Sequence, residues 1–138
     1  MLTTNTEFLY PELMDVLRLF GEELPDIRHT FRAEGDRFLD EVETGGRTDF
    51  YEERMPYAGE LEFRRYAKRF SKIALYWTLC KETGRTMPWG ALTGIRPTKL
   101  AYAEAAAGRD FRALFEKCGV SPANIALIAD VLRAQEGI

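Results

Sequence analysis

The sequence is poor in the residues that hold metal ions and has no long apolar run. Two cysteines and one histidine occur among 138 residues, too few for a zinc or iron–sulfur site built by this chain alone. No apolar run approaches the roughly 20 residues that span a membrane. Residues 1–5 lack the basic start and apolar core of a signal peptide. We therefore expect a cytoplasmic protein with no membrane partner and no metal bound by this chain.

The chain also has no surplus of positive charge, since 19 Lys and Arg residues stand against 22 Asp and Glu. The formal net charge is -3 at pH 7, whereas nucleic-acid-binding domains usually carry a basic surplus, so nucleic acid is not an expected partner. Cys80 falls on the apolar face of a predicted helix and Cys118 near the end of another. Because a disulfide is disfavoured in a reducing cytoplasm, both are expected to be core thiols.

The first part of the chain mixes helix and strand patterns. A short strand is predicted at residues 2–5, and a helix at about residues 8–22 has apolar side chains at helical spacing. Three strands are predicted next, at residues 27–33, 37–44 and 47–55. Turns at Gly35-Asp36 and Gly45-Gly46 are too short for anything but antiparallel pairing. Four glutamates of these strands are expected to face solvent: Glu41, Glu43, Glu52 and Glu53.

His29 is the only histidine and lies in the first of the three strands. No serine or cysteine nucleophile accompanies it at a recognisable spacing. We therefore expect a histidine of the core or of the sheet edge, not a catalytic base.

A long amphipathic helix is predicted over about residues 60–83. Its apolar residues repeat every three or four positions, from Phe63 to Cys80. The other side carries a basic stripe: Arg64, Arg65, Lys68, Arg69 and Lys72. This stripe is either an interface for nucleic acid or an acidic partner, or a solvated face paired with Glu60 and Glu62. The second interpretation is favoured, because such pairs stabilise helices at three- and four-residue spacing.

The stretch WGALTGIRPTKL, residues 89–100, separates this helix from an all-helical C-terminal part. Pro97 disfavours helical backbone at Arg96, so a helix begins at Pro97. Arg96 and Lys99 then lie at the helix N-terminus, whose free N–H groups and dipole favour anions. Further helices are predicted at residues 97–107, from Asp110 to Cys118, and from Pro122 onward.

These elements predict an α+β fold. We expect an antiparallel sheet of three to four strands packed by two helices, followed by a C-terminal helical segment. The predicted organisation is a sheet-and-helix domain at residues 1–84, a loop at residues 85–99 and a helical extension at residues 97–138.

The stretch from Gly84 to Leu100 resembles the signature of the HemZ-type oxygen-independent coproporphyrinogen III oxidases. That family has a block of the form T-G…W-G-x-L-T-G-I-R-P-T-K after a long helix, and Ala91 occupies its one variable position. The resemblance implies that this chain is the N-terminal region of such an enzyme. The parent is expected to be a radical S-adenosylmethionine oxidoreductase that converts two propionates of coproporphyrinogen III to vinyl groups in haem biosynthesis.

The resemblance also implies that this chain is truncated before the catalytic domain. The family's C-x-x-x-C-x-x-C motif, which holds the [4Fe–4S] cluster next to S-adenosylmethionine, is absent here. The chain alone is therefore expected to be inactive, with no catalytic residues and no cofactor of its own. Its expected partners are its downstream catalytic domain and the tetrapyrrole propionates.

Five residues are candidates for contact with the substrate or the catalytic domain: Trp89, Thr93, Arg96, Thr98 and Lys99. In the alternative interpretation, Arg96 pairs with an acidic side chain or a carbonyl, and Trp89 fills a gap between helices. Without the family resemblance, the chain would be assigned to a small protein- or RNA-binding module. The sheet lacks an aromatic-rich strand of the kind that stacks RNA bases, so the RNA alternative ranks low.

Overall fold

The chain divides into two units, Met1–Arg85 and Thr86–Ile138, one residue beyond the predicted boundary at residue 84. The computed structural model describes residues 1–21 and 23–136. The first unit contains β1 (Leu2–Thr4), a 3-10 turn (Glu7–Leu9), α1 (Tyr10–Leu19), β2 (Ile27–Glu34), β3 (Arg37–Thr44), β4 (Arg47–Arg54) and α2 (Gly59–Thr83). The second contains α3 (Pro97–Ala106), α4 (Phe111–Cys118) and α5 (Pro122–Glu136). The predicted helix end at Glu22, and residues 137–138 of the predicted extension, lie outside the described residues.

The α+β class is confirmed, and the sheet is mostly antiparallel. Its strand order is β1-β2-β3-β4, with β2, β3 and β4 joined as successive antiparallel hairpins. The first strand is different, because β1 pairs with β2 in parallel, with Leu2 opposite Ile27. The antiparallel pairing predicted for the three consecutive strands is confirmed, whereas the parallel pairing of β1 was not predicted. The connection from β1 to β2 contains α1 and is long enough for a parallel crossover, whereas a hairpin is not.

The core of the first unit lies between the sheet and its two long helices. Leu13 and Val16 of α1 are fully buried, as are Phe38 and Val42 of β3. Phe38 is the centre of an aromatic cluster, with edge-to-face contacts to Phe63 and Phe70 of α2 at ring distances of 5.4 and 6.0 Å. The long apolar stripe predicted for α2 thus packs on the helix-facing side of the sheet, and the helix ends at Gly84 in a left-handed conformation.

The second unit is built on three helices with clear local signals. Arg96 is extended and Pro97 begins α3, as the proline rule predicts. The Asp110 carboxylate accepts a hydrogen bond from the backbone N–H of Arg112 and caps α4. Phe115, Ile125 and Ile128 supply buried side chains of this unit's own core.

Candidate functional site

The loop that precedes α3 is hydrogen-bonded to the junction of α4 and α5. Trp89 forms an isolated antiparallel bridge with Val120, and the backbone N–H of Ala91 donates to the carbonyl of Cys118 at 2.8 Å. The carbonyl of Pro88 accepts hydrogen bonds from the Ser121 N–H and the Asn124 side chain, each at 3.0 Å. These bonds give the loop before α3 a defined position within the second unit.

Gly90 makes this close approach possible. Its φ is +55°, and a Cβ at this position would overlap the Cys118 carbonyl oxygen and lie 2.6 Å from the carbonyl carbon of Gly119. Only glycine offers both the backbone angle and the space. Gly94, in the same loop, also has a positive φ, but a Cβ there would meet nothing within 4 Å.

An open groove lies beside the N-terminal turn of α3. We call it the α3 groove, and it is lined by Arg96, Thr98, Lys99, Tyr102, Ala103 and Gln135. Its volume is about 610 Å³, and its lining, within the described residues, carries two cations and no carboxylate. Arg96 and Lys99 are exposed, and neither forms an ion pair within the described part of the chain.

The local backbone adds to the positive potential of the α3 groove. The first turn of α3 contains no acidic side chain, and the side chain of its N-cap residue, Arg96, does not cap the free N–H groups. Free N–H groups at a helix N-terminus favour anions. The arrangement can therefore hold a carboxylate or a phosphate by charge and by hydrogen bonds from the guanidinium.

Three of the five candidate residues thus lie together in the α3 groove: Arg96, Thr98 and Lys99. Trp89 and Thr93 are half-buried and do not line it. Tyr102 and Gln135 do line it and were missed by the sequence analysis. The spacing of Tyr102, four residues after Thr98, could have placed it on the same helix face. No sequence signal points to Gln135, because it belongs to α5.

The basic stripe of α2 is largely engaged by side chains of its own unit. Lys68 and Lys72 both contact the Glu12 carboxylate of α1, at 3.6 and 3.8 Å. Arg64 pairs with Glu60 at 3.0 Å and stacks on Phe8. The favoured interpretation, a solvated face paired with Glu60 and Glu62, therefore describes Arg64, whereas it is wrong for Lys72, which is buried, and the acidic partner of both lysines is Glu12. The predicted partner Glu62 instead accepts a hydrogen bond from the Ala58 N–H.

His29, predicted to lie in the core or at the sheet edge, is a core residue and is 1% exposed. Its Nδ1 shares a hydrogen bond with the Thr4 hydroxyl at 2.7 Å, and its Nε2 shares one with the Asp40 carboxylate at 2.8 Å. Burial raises the pKa of Asp40, while the hydrogen bond from His29 and the nearby Ser71 hydroxyl lower it. Both the His29 and Asp40 side chains are fully shielded from solvent, which suits a structural role.

The cysteines offer no reactive or metal-binding centre. Burial raises the pKa of the half-buried Cys80 thiol, and a protonated thiol is a poor nucleophile and ligand. Cys118 is buried. Among the described residues, no group of three or more His, Cys, Asp and Glu side chains is arranged to hold a metal ion.

Comparisons with models of known families, with curated proteins and with solved structures find no match to this chain. No helix within the described ranges has the length and apolar character needed to cross a membrane.

Proposed function

We propose that this chain is the non-catalytic N-terminal accessory domain of an oxygen-independent coproporphyrinogen III oxidase. The sequence support is the block WGALTGIRPTK at residues 89–99, which resembles the family signature at every position but the variable one. In this proposal the parent enzyme carries the catalytic domain, and the present chain helps to bind and orient the tetrapyrrole substrate.

The single observation that carries the proposal is the unpaired charge of the α3 groove. Arg96 and Lys99 lie at one helix N-terminus with no ion pair among the described residues. Among the described residues, no acidic side chain forms an ion pair with Arg96, so the alternative in which Arg96 pairs with an acidic side chain gains no support from them. A groove whose described lining is cationic and holds no carboxylate suits an anionic partner from outside the chain.

The anion proposed for the groove is a propionate of the tetrapyrrole. A guanidinium matches a carboxylate with two parallel hydrogen bonds, and the Lys99 ammonium adds charge without demanding one geometry. The Thr98 hydroxyl lies in the same lining and is a further donor. Docking of an acidic side chain of the catalytic domain is the alternative use of the same groove.

The cofactors of the proposed parent do not fit this chain. A [4Fe–4S] cluster takes cysteine thiolates, and the family motif uses three, whereas this chain has only Cys80 and Cys118. Those two residues fall in different units. The cluster and S-adenosylmethionine would therefore be held by the catalytic domain, and this chain takes no part in their chemistry.

The test uses the full-length parent, purified anaerobically, with Arg96→Gln and Lys99→Gln variants. We expect iron–sulfur absorption and cleavage of S-adenosylmethionine in the presence of coproporphyrinogen III. Loss of one charge-assisted hydrogen bond corresponds to a rise in KM of about 10- to 100-fold. The matched control is Arg112→Gln, which removes the same charge from α4 outside the groove and should leave KM unchanged.

Two kinds of failure are distinguishable. A parent that binds no cluster, or that cleaves no S-adenosylmethionine with this substrate, overturns the proposed function. An active parent whose KM is the same in all three variants overturns only the role of the groove. A fall in kcat with unchanged KM, restored by Arg96→Lys, assigns the groove to docking of the catalytic domain.

A further inference from the structure

The sheet of the first unit has one face that its helices do not cover. Side chains alternate along each strand, so β2, β3 and β4 present a second face on which twelve positions meet in register. We call this the outer sheet face. Its charged residues are four arginines and four glutamates: Arg28, Arg32, Arg37, Arg54, Glu34, Glu41, Glu43 and Glu52. Glu53, predicted to share this face, points to the other side and is half-buried.

An aromatic side chain stands near the centre of the outer sheet face. Phe50 is 74% exposed, among the most exposed large apolar residues described. With Leu39 and Thr30 it lines a shallow groove of about 250 Å³. Single exposed apolar residues are common, so Phe50 alone does not define an interface.

The charges around this groove supply the second observation. Arg37 pairs with Glu34 and Glu52, and Arg28 approaches Glu43. In the described part of the chain, Arg32 and Glu41 form no ion pair, although both line the groove. The strand register places Arg32 opposite Leu39 and Glu41 opposite Phe50. Arg32 and Glu41, a cation and an anion with no ion pair among the described residues, therefore lie diagonally opposite each other. Each is next to one of the apolar side chains at the centre of the face, Leu39 and Phe50.

We propose that the outer sheet face is a twofold interface between two copies of this chain. A twofold interface is self-complementary, so a contact of residue i with residue j occurs twice. Arg32 of each copy then meets Glu41 of the other, and both Phe50 rings leave solvent. The face carries equal numbers of positive and negative charges, which matches a second copy better than a strongly acidic or basic partner. This inference does not depend on the proposed function.

The size of the face predicts a weak dimer. Three strands of eight residues at about 3.3 Å rise and 4.8 Å spacing cover roughly 400 Å² per copy. The total is roughly 800 Å², below the roughly 1,200–2,000 Å² that stable specific interfaces bury. Dissociation should therefore be rapid and visible as a concentration-dependent mass.

The test is sedimentation of the 138-residue chain from about 5 to 500 µM, a range that brackets a weak dissociation constant. We expect monomer at the low end and dimer at the high end. Arg32→Glu and Glu41→Arg should each stay monomeric, because each places like charges together twice. An equimolar mixture of the two variants should form a heterodimer, since its contacts again join opposite charges.

Recovery in the mixture also shows that both variants are folded. The matched control is Arg65→Glu, an exposed charge reversal on α2, which should dimerise like the parent sequence. If the chain stays monomeric over the whole concentration range, the proposed dimer is wrong, and the partner of the outer sheet face would be a different protein. A dimer that survives both single reversals, or a mixture that stays monomeric, overturns it as well.

Discussion

Asp40 is a carboxyl group on the helix-facing side of β3. Its side chain is fully buried, and it shares a hydrogen bond with the His29 ring at 2.8 Å. Because burial disfavours the charged form, the pKa of Asp40 is raised. The folded protein therefore keeps a proton on Asp40 at pH values where the unfolded chain has lost it, and stability falls as the pH rises.

Asp40→Asn should remove this pH dependence. The native state binds the extra proton, so the free energy of unfolding of the wild type falls by up to about 1.4 kcal/mol per pH unit above about pH 4. The fall ends once the pH exceeds the folded-state pKa of Asp40. The variant, whose amide oxygen still accepts from His29, should show no such component in urea unfolding between about pH 4 and 8.

The exposed Glu7 of the 3-10 turn provides the control. Glu7→Gln should leave the pH profile parallel to that of the wild type. If the pH profile of Asp40→Asn is also parallel to that of the wild type between about pH 4 and 8, the buried Asp40 carboxyl does not cause the pH dependence of stability. That result would contradict the prediction.

At the scale of elements, alternation and helical period are sufficient to predict most of the first unit. Glycine turns and period-two patterns predict β2, β3 and β4, and alternation also places Asp40 beside Phe38 and Val42. The parallel pairing of β1 was missed because no local pattern distinguishes a three-residue strand that pairs across a helix. The contact of Glu12 with Lys72 was missed for a related reason, since it joins two helices.

The candidate site was predictable to the extent that it is local. Arg96, Thr98 and Lys99 fall within four consecutive positions, so the helix start at Pro97 brings them together. Gln135 reaches the same groove only through the packing of α5. The need for glycine at position 90 depends on Cys118, which is remote in sequence.

Because the loop lies so close to the end of α4, substitutions of its two glycines should lower the stability of the second unit by different amounts. Gly90→Ala should destabilise the second unit by about 2–4 kcal/mol, because its Cβ overlaps the Cys118 carbonyl. Gly94→Ala, the matched control, has an unfavourable φ but open space and should cost about 1 kcal/mol. The measurement is hydrogen exchange of the Ala91 amide, which donates to Cys118.

An energetic loss of 2 kcal/mol corresponds to roughly 30-fold faster exchange of that amide. Equal protection of Ala91 in the two variants would mean that the close approach of loop and helix does not stabilise the unit.

At the scale of the whole molecule, the two units differ in how much apolar surface they can bury. The first contains a four-stranded sheet with a helix-covered core, and the second contains three helices of 8 to 15 residues. Domains of about 60 residues or fewer bury a small fraction of their surface and are marginally stable. We therefore expect the first unit to fold alone more readily than the second.

We expect a fragment of residues 1–85 to fold on its own, since its aromatic cluster and its His29–Asp40 pair are formed entirely within it. It should unfold cooperatively in urea and show a mixed helix and strand circular dichroism spectrum. A fragment of residues 86–138 should be much less stable, because its core is small. A disordered 1–85 fragment would contradict this division. If instead both fragments fold, the α3 groove can be titrated with carboxylates in isolation.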